Sequence, residues 1–547
     1  MAKPRFLLLI LLLAAAFRFY GLDWDDGIGA HPDERYVVSA AERLHWPDLL
    51  NPFAVASRFA YGHLPLYLLS GALSLSRNVD PLLLGRMLAA LFDLGAVALT
   101  FLLGRQVYEE NVGLLAAAFV ALMLLHVQHS HFYTVDLILT FFVLGALLFA
   151  VRLAVDGRRG DAWAAGVWAG LALGAKFSAA LLALPLGAAC ALAPAGQSAR
   201  WRRGLEIGAV TLAAFMLTNP YACLNFPIFW RNLSDQAAMA RGLLEAPYTR
   251  QFHVAWPYLY PILQQLRWGM GWPLGLVICG GLVYAVWRAV QEPPRPAEWV
   301  LLAWIAPAGA FWGALYAKFP RYLLPLTPAL AICAARLLVV LHRRNRHWAF
   351  WFLACFSLGG SLLYCFAFVN LYHTPHPWQS ASTWFYEHAP RGAVVAVEQW
   401  DHPLPLNSAG YEMRELPIFD EDTLEKWARM DETLAEADYV IVASRRGYAA
   451  LARWPERYPR TTRYYRRLFE GRRGFEPVAC LTRHPHLGPL VLLDDPTAGI
   501  GFSLPELCLS EAPLVLRLGR LDESFVVYDH PQVMIMRSNQ SASVTRR

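Results

Sequence analysis

The chain has 547 residues, 56% of them hydrophobic and only 16% charged, with a formal net charge of +6 at pH 7. With a mean hydropathy of +0.32, that composition excludes a water-soluble globular protein over most of the length. The basic excess lies in short Arg clusters between apolar runs, the pattern of membrane proteins, and gives no reason to expect a nucleic-acid partner.

From the N-terminus, Lys3 and Arg5 followed by the apolar run Phe6 to Phe17 look like a signal peptide, with Ala14 to Ala16 in the place of a cleavage site. The run continues through Phe19 and Tyr20 into an acidic loop, so it is read as an uncleaved first helix. A membrane span needs roughly 20 apolar residues. Segments that qualify fall near 6–21, 82–105, 112–128, 137–153, 162–175, 178–193, 205–218, 268–288, 299–317, 322–341 and 348–369. The expected fold is therefore an all-α polytopic membrane domain of about eleven spans over residues 1–372.

Gly62 to Arg77 is apolar but short, with Pro65 and several serines. If it does not cross, then Arg105, Arg152 with Arg158 and Arg159, Arg200 with Arg202 and Arg203, Arg288 with Arg295, and Arg343 to Arg346 all share the cytoplasmic side with the N-terminus. It is accordingly read as an amphipathic helix in the outer interface. The loops Leu22 to Tyr61, His129 to Asp136 and Asn219 to Arg267 then lie outside, with the tail. The location this implies is the inner membrane of a prokaryote.

From His373 the sequence becomes charged and Pro-punctuated, and residues 373–547 are expected to form an extracytoplasmic soluble α/β domain. Ala393 to Glu398 and Ala437 to Ala443 are strand candidates, and Asp422 to Ala435 has a helical pattern. The Arg-rich run Arg445 to Arg473 suits either a solvated face or contact with lipid headgroups or substrate phosphates. Ser538 to Arg547 reads as a disordered end. Of eight cysteines, six lie in apolar runs with no metal spacing. Cys480 and Cys508 lie in the tail, where a disulfide and two buried thiols are both open.

Two acidic clusters carry chemistry. Asp23, Asp25 and Asp26 lead into His31-Pro32-Asp33-Glu34-Arg35-Tyr36, where Asp33 and Glu34 suit either the first turn of a capped helix or a general base for an acceptor hydroxyl. In His129-Ser130-His131-Phe132-Tyr133-Thr134-Val135-Asp136 a carboxylate opens a membrane helix on the same face, which reads as functional by default or as an N-cap. His31, His129 and His131 are further candidates. A divalent metal held by Asp33, Asp136 and His131 is a weak option because the spacing is loose, and no cofactor is otherwise indicated. Lys176 falls in a break between helices (GLALGAKFS), and Lys318 and Arg321 stand in KFPRYLLPLTP. These three are either snorkelling cations or a clamp for a lipid-linked phosphate.

The order HPDERY, YGHLPLYLL, a helix opened by TVD, GLALGAKFS and RYLLPLTP resembles the protein O-mannosyltransferase and aminoarabinose transferase group of GT-C fold glycosyltransferases, over about the first 370 residues. The resemblance implies a base or acceptor-binding acid at Asp33 with Glu34 beside it, a second-loop acid at Asp136, and phosphate contacts at Lys176 and Arg321. The implied function is inverting transfer of a sugar from a polyprenyl-phosphate-linked donor to a hydroxyl acceptor. The positions that would name the sugar are not recognisable. A transporter or flippase of lipid-linked substrates is the alternative, but no repeated halves are visible.

Overall fold

The structure is a computed structural model that describes residues 3–76 and 78–539. Arg77 and the end from residue 540, which covers most of the expected disordered segment, lie outside the described residues. Packing divides the chain into two compact units. One comprises Met1–Leu22, His31–Ala240 and Pro257–Cys365; the other comprises Asp23–Ala30, Arg241–Trp256 and the chain from Phe366.

The first unit is helical throughout. Its early helices are α1 (Lys3–Phe19), α2 (Pro32–Glu42), α3 (Pro52–Val55), α4 (Leu64–Leu75), α5 (Pro81–Val107), α6 (Glu110–Ala121) and α7 (Leu124–His129). Then come α8 (Val135–Asp156), α9 (Arg159–Ala175), α10 (Ala183–Leu192), α11 (Gln197–Thr218), α12 (Pro220–Leu224) and α13 (Phe226–Ala240). After a gap follow α14 (Leu259–Gln264), α15 (Trp272–Gln291), α16 (Pro296–Ala314), α17 (Thr327–Arg343) and α18 (His347–Val369).

Each of the eleven expected segments contains helix, but 178–193 opens with a 3₁₀ turn, Phe177–Leu182, and 268–288 is interrupted before α15 begins at Trp272. By length and hydropathy, five described stretches are sufficient to cross a membrane: Pro81–Val107, Val135–Asp156, Trp272–Gln291, Pro320–Arg343 and one beginning at His347. Helix boundaries follow local chemistry. Asp80 accepts from the Leu83 N–H and Pro81 opens α5, and Gly157, at φ +67°, ends α8 in the left-handed conformation. Helix α4 has 12 residues; at about 1.5 Å each it is roughly 18 Å long, well short of a hydrocarbon core of about 30 Å. Helix α8 is apolar all round and 78% buried over its span, as befits a helix surrounded by others.

One expectation is corrected. The segment 112–128 is not a single helix: α6 ends at Ala121 and α7 begins at Leu124. The buried Arg18 guanidinium takes the carbonyls of Val120 and Ala121 at 3.1 and 2.9 Å, satisfying the backbone groups that the break releases.

The second unit is built on a five-stranded sheet with order β2-β1-β3-β8-β4, where β1 is Val394–Glu398, β2 Glu412–Leu416, β3 Tyr439–Val442, β4 Phe475–Leu481 and β8 Val533–Ser538. Strands β1, β2 and β3 are parallel, with Val395 opposite both Met413 and Tyr439; β8 runs antiparallel to β3 and β4. A three-stranded sheet orders β5 (His486–Leu487), β6 (Leu490–Asp494) and β7 (Leu514–Gly519). The strand candidates thus appear as β1 and β3, and the expected helix as Leu424–Glu436. Met534 and Met536 of β8 pack with Val440, Tyr465 and Leu468 in the core. Cys480 and Cys508 form a disulfide, with Cα atoms 5.3 Å apart; the other six cysteines are free.

Candidate active site

Four of the residues singled out by sequence meet in one chain of charges. Pro32 opens α2 with its fixed φ, which puts Asp33 in the first turn. Thr134 takes the N-cap position of α8, so Asp136 is not the cap but lies in the first turn, almost fully buried. Lys176 ends α9 in extended conformation, before a 3₁₀ turn from Phe177 to Leu182. Arg321 sits in a second 3₁₀ turn, Pro320–Leu326, which leads into α17.

Lys176 Nζ lies 2.7 Å from Asp136 Oδ1, Arg321 Nε 3.9 Å from Asp136 Oδ2, and Arg321 Nη2 2.7 Å from Asp33 Oδ2. The order is therefore Asp33, Arg321, Asp136, Lys176, with alternating charges that sum to zero. Side-chain exposure rises from 3% at Asp136 to 29% at Asp33, which makes Asp33 the most accessible acid of the set. The ammonium of Lys176 also lies 4.6 Å from the centre of the Tyr322 ring.

Sequence reasoning passed over Tyr61, although it opens the YGHLPLYLL motif. Its hydroxyl is pushed well above its usual range by burial, to which the charges of Asp33 and Asp136 add and which Arg321 opposes. Gly62 explains the placement. Its N–H donates to Ala175 O at 3.1 Å, and a Cβ there would come within 2.0 Å of Gly174 O. Only glycine lets this loop close against the end of α9 beside Lys176. His63 follows, ringed by Phe53 and Tyr67 at 5.2 and 6.1 Å, and burial draws it down to about 4, neutral at pH 7.

The remaining candidates turn elsewhere. Glu34 holds Arg86 with both oxygens, at 3.0 and 2.9 Å, and accepts the Tyr133 N–H at 2.8 Å. Those are bonds that fix α2 to α5 and to the start of α8. His31 caps α2 through Nδ1 and packs 4.8 Å from Phe132. Both nitrogens of His131 face carbonyls, Val127 O and Tyr20 O, each at 2.8 Å. His129 lies edge-on to Phe132, with ring centres 5.9 Å apart. Lys318 donates to Tyr316 O at 2.9 Å, and burial lowers its ammonium below the usual range. Among the described residues no group of three His, Cys, Asp or Glu side chains is placed to hold a metal ion.

A second buried set went unread in the sequence. Arg18 of α1 donates to Asp93 of α5 at 2.7 Å; Asp93 faces His126 of α7 at 2.6 Å; His126 Nε2 lies 2.8 Å from Thr327 Oγ1. All four are fully buried. In sequence Asp93 is one charge in an apolar run, and its partners are 33 and 75 positions away.

Residues 63–222 match the dolichyl-phosphate-mannose-protein mannosyltransferase family. Among solved structures, the archaeal oligosaccharyltransferase AglB from Archaeoglobus fulgidus, in complex with an inhibitory peptide and a dolichol-phosphate, aligns at 14% identity over 85% of this chain and 73% of its own, with a TM-score of 0.53. ArnT from Cupriavidus metallidurans in the apo state aligns at 16% identity over 81% of this chain and 93% of its own, with a TM-score of 0.50. No curated protein matches the chain. At these identities the structural likeness speaks for the fold. Fold and family segment agree with the resemblance drawn from the motifs: the chain has the GT-C fold of these structures, and its residues 63–222 are similar to the mannosyltransferase family.

Proposed function

We propose that this integral membrane protein is an inverting glycosyltransferase that moves a sugar from a polyprenyl-phosphate-linked donor to a hydroxyl acceptor on the outer face of the membrane. The observation that carries the reading is the alternating set Asp33, Arg321, Asp136 and Lys176, which puts an accessible carboxylate against a guanidinium, with a buried carboxylate and its ammonium next in line. In the reaction, Asp33 takes the proton of the acceptor hydroxyl as its oxygen bonds to the anomeric carbon. The bond from that carbon to the phosphate oxygen breaks, its electron pair leaves with the polyprenyl phosphate, and Arg321 and Lys176 stabilise the added charge. Asp136 orients both cations. Glu34, held by Arg86 and Tyr133, keeps α2 in place rather than exchanging protons.

Donor chemistry is supported by the family match at residues 63–222 and by the dolichol-phosphate held by AglB. Eleven crossings, an N-terminus inside, and a tail domain from residue 373 outside gather the Arg clusters on one side. The Cys480–Cys508 disulfide suits an oxidising compartment. A flippase is less well supported, because the four site residues stand at helix ends rather than along a path through the unit. Mass spectrometry of lipids from a deletion strain tests the reading: a polyprenyl-phosphate-linked sugar should accumulate, and an unchanged lipid profile would count against it. A reporter fused after Val369 should read external, and a cytoplasmic reading would overturn the topology.

A further inference from the structure

The 3₁₀ turn that carries Arg321 is weakly held by its own backbone. It contains Pro320 and Pro325, which have no N–H to give, and 3₁₀ hydrogen bonds are poorly aligned. Side chains hold it instead. Gln265 donates to Pro320 O at 3.0 Å, Trp304 to Pro325 O at 3.2 Å, and Thr327 to Leu324 O at 2.8 Å. The same Thr327 hydroxyl lies 2.8 Å from His126 Nε2, so it bridges the turn and the imidazole. The His126 ring is fixed by Asp93, and Asp93 by Arg18, which is itself tied to the carbonyls that end α6.

Buried ionic sets of this kind seldom repay their desolvation as stability, and well-packed apolar residues often serve as well. What this one yields is geometry, because it ends at the turn that aims Arg321 between two carboxylates. We infer that Thr327 and His126 are positioning residues for Arg321, the end of a buried relay of contacts that sets where the guanidinium presents itself to a phosphate. This rests on the reading of Arg321 as a phosphate ligand.

The test is the affinity of the full-length protein in detergent for undecaprenyl phosphate. Thr327→Val keeps the shape and removes the hydroxyl; Thr327→Ser keeps the hydroxyl. Loss of one well-aimed charge-assisted contact is worth about 1.5 kcal/mol or more, so Thr327→Val should weaken binding by about tenfold, whereas Thr327→Ser should stay within about twofold. Added to Arg321→Ala, Thr327→Val should cause no further loss, because the effect acts through the guanidinium. Additive losses, or equal losses in the Ser and Val variants, would overturn the inference. Thr327→Ala replaces the Val variant if that fails to fold. If Arg321→Ala binds as tightly as the parent, the phosphate reading fails. Hydrogen exchange of the 320–326 amides then decides the inference: faster exchange in Thr327→Val than in Thr327→Ser upholds it, and equal exchange rejects it.

Discussion

Asp136→Asn removes one charge from the centre of the site while keeping its shape. The carboxylate is 3% exposed, with Lys176 at 2.7 Å and Arg321 at 3.9 Å. Arg321 retains Asp33, but Lys176 loses its carboxylate partner. Breaking a buried ion pair costs about 3–5 kcal/mol. Because Lys176 keeps 18% of its side-chain surface and can turn toward water, the lower end applies, about 3 kcal/mol, or roughly 10²-fold in the folded-to-unfolded ratio. Adding Lys176→Met removes the stranded ammonium and should restore stability to within about 1 kcal/mol of the parent. Reversible unfolding in mixed micelles, titrated with a denaturing detergent, measures both. A loss below about 0.5 kcal/mol in Asp136→Asn, or no recovery in the double variant, would refute the view of this pair as desolvated and mutually dependent.

Glu34→Gln should lower the yield of folded protein by stranding the buried Arg86, while the fraction that folds still binds undecaprenyl phosphate; folded protein that had lost binding would return Glu34 to the site. Cys480→Ser opens a disulfide with a sequence separation of 28 and should destabilise the tail unit by about 3.5 kcal/mol, read from its denaturant midpoint. Burial pushes the Glu398 carboxyl up to about 8, while a hydrogen bond from Tyr465 opposes the shift. The native state therefore holds a proton that the unfolded chain releases near its ordinary value. Stability from this group is complete below that value and is lost as pH rises toward about 8, by up to about 1.4 kcal/mol per pH unit. Glu398→Gln should flatten this fall, measured as the tail's denaturant midpoint at about pH 6 and about pH 9; an unchanged slope would exclude Glu398 as its source.

Much of this architecture was legible because membrane insertion writes itself into sequence as long apolar runs, and each of the eleven runs holds helix even where, as at 112–128 and 178–193, it is broken. Asp136 at the start of a helix and Lys176 in a break were visible for the same reason: charges stand out against an apolar background. The break between α6 and α7 was not visible, since Leu122 and Met123 continue the apolar run and the cause is Arg18, about a hundred residues earlier. Asp33 and Glu34 could not be ranked in sequence, because adjacent acids on a helix point to different neighbours and only packing shows that Arg86 holds one and Arg321 the other. Residues 23–30 and 241–256 pack with the tail unit, an association that no local pattern announces. Tyr61 lacked a charge to draw notice, and its neighbours are set by the close approach that Gly62 permits.

The central claim is that Asp33 removes the proton from the acceptor, and Asp33→Asn addresses it most directly. The amide keeps the shape and a hydrogen-bonding oxygen for Arg321 Nη2, now at 2.7 Å from the carboxylate, but cannot serve as a base. With a polyprenyl-phosphate-linked sugar as donor and the protein shown to be folded and inserted, sugar transfer should fall by roughly 10²-fold or more while donor binding persists. Near-parental turnover in Asp33→Asn would contradict the account.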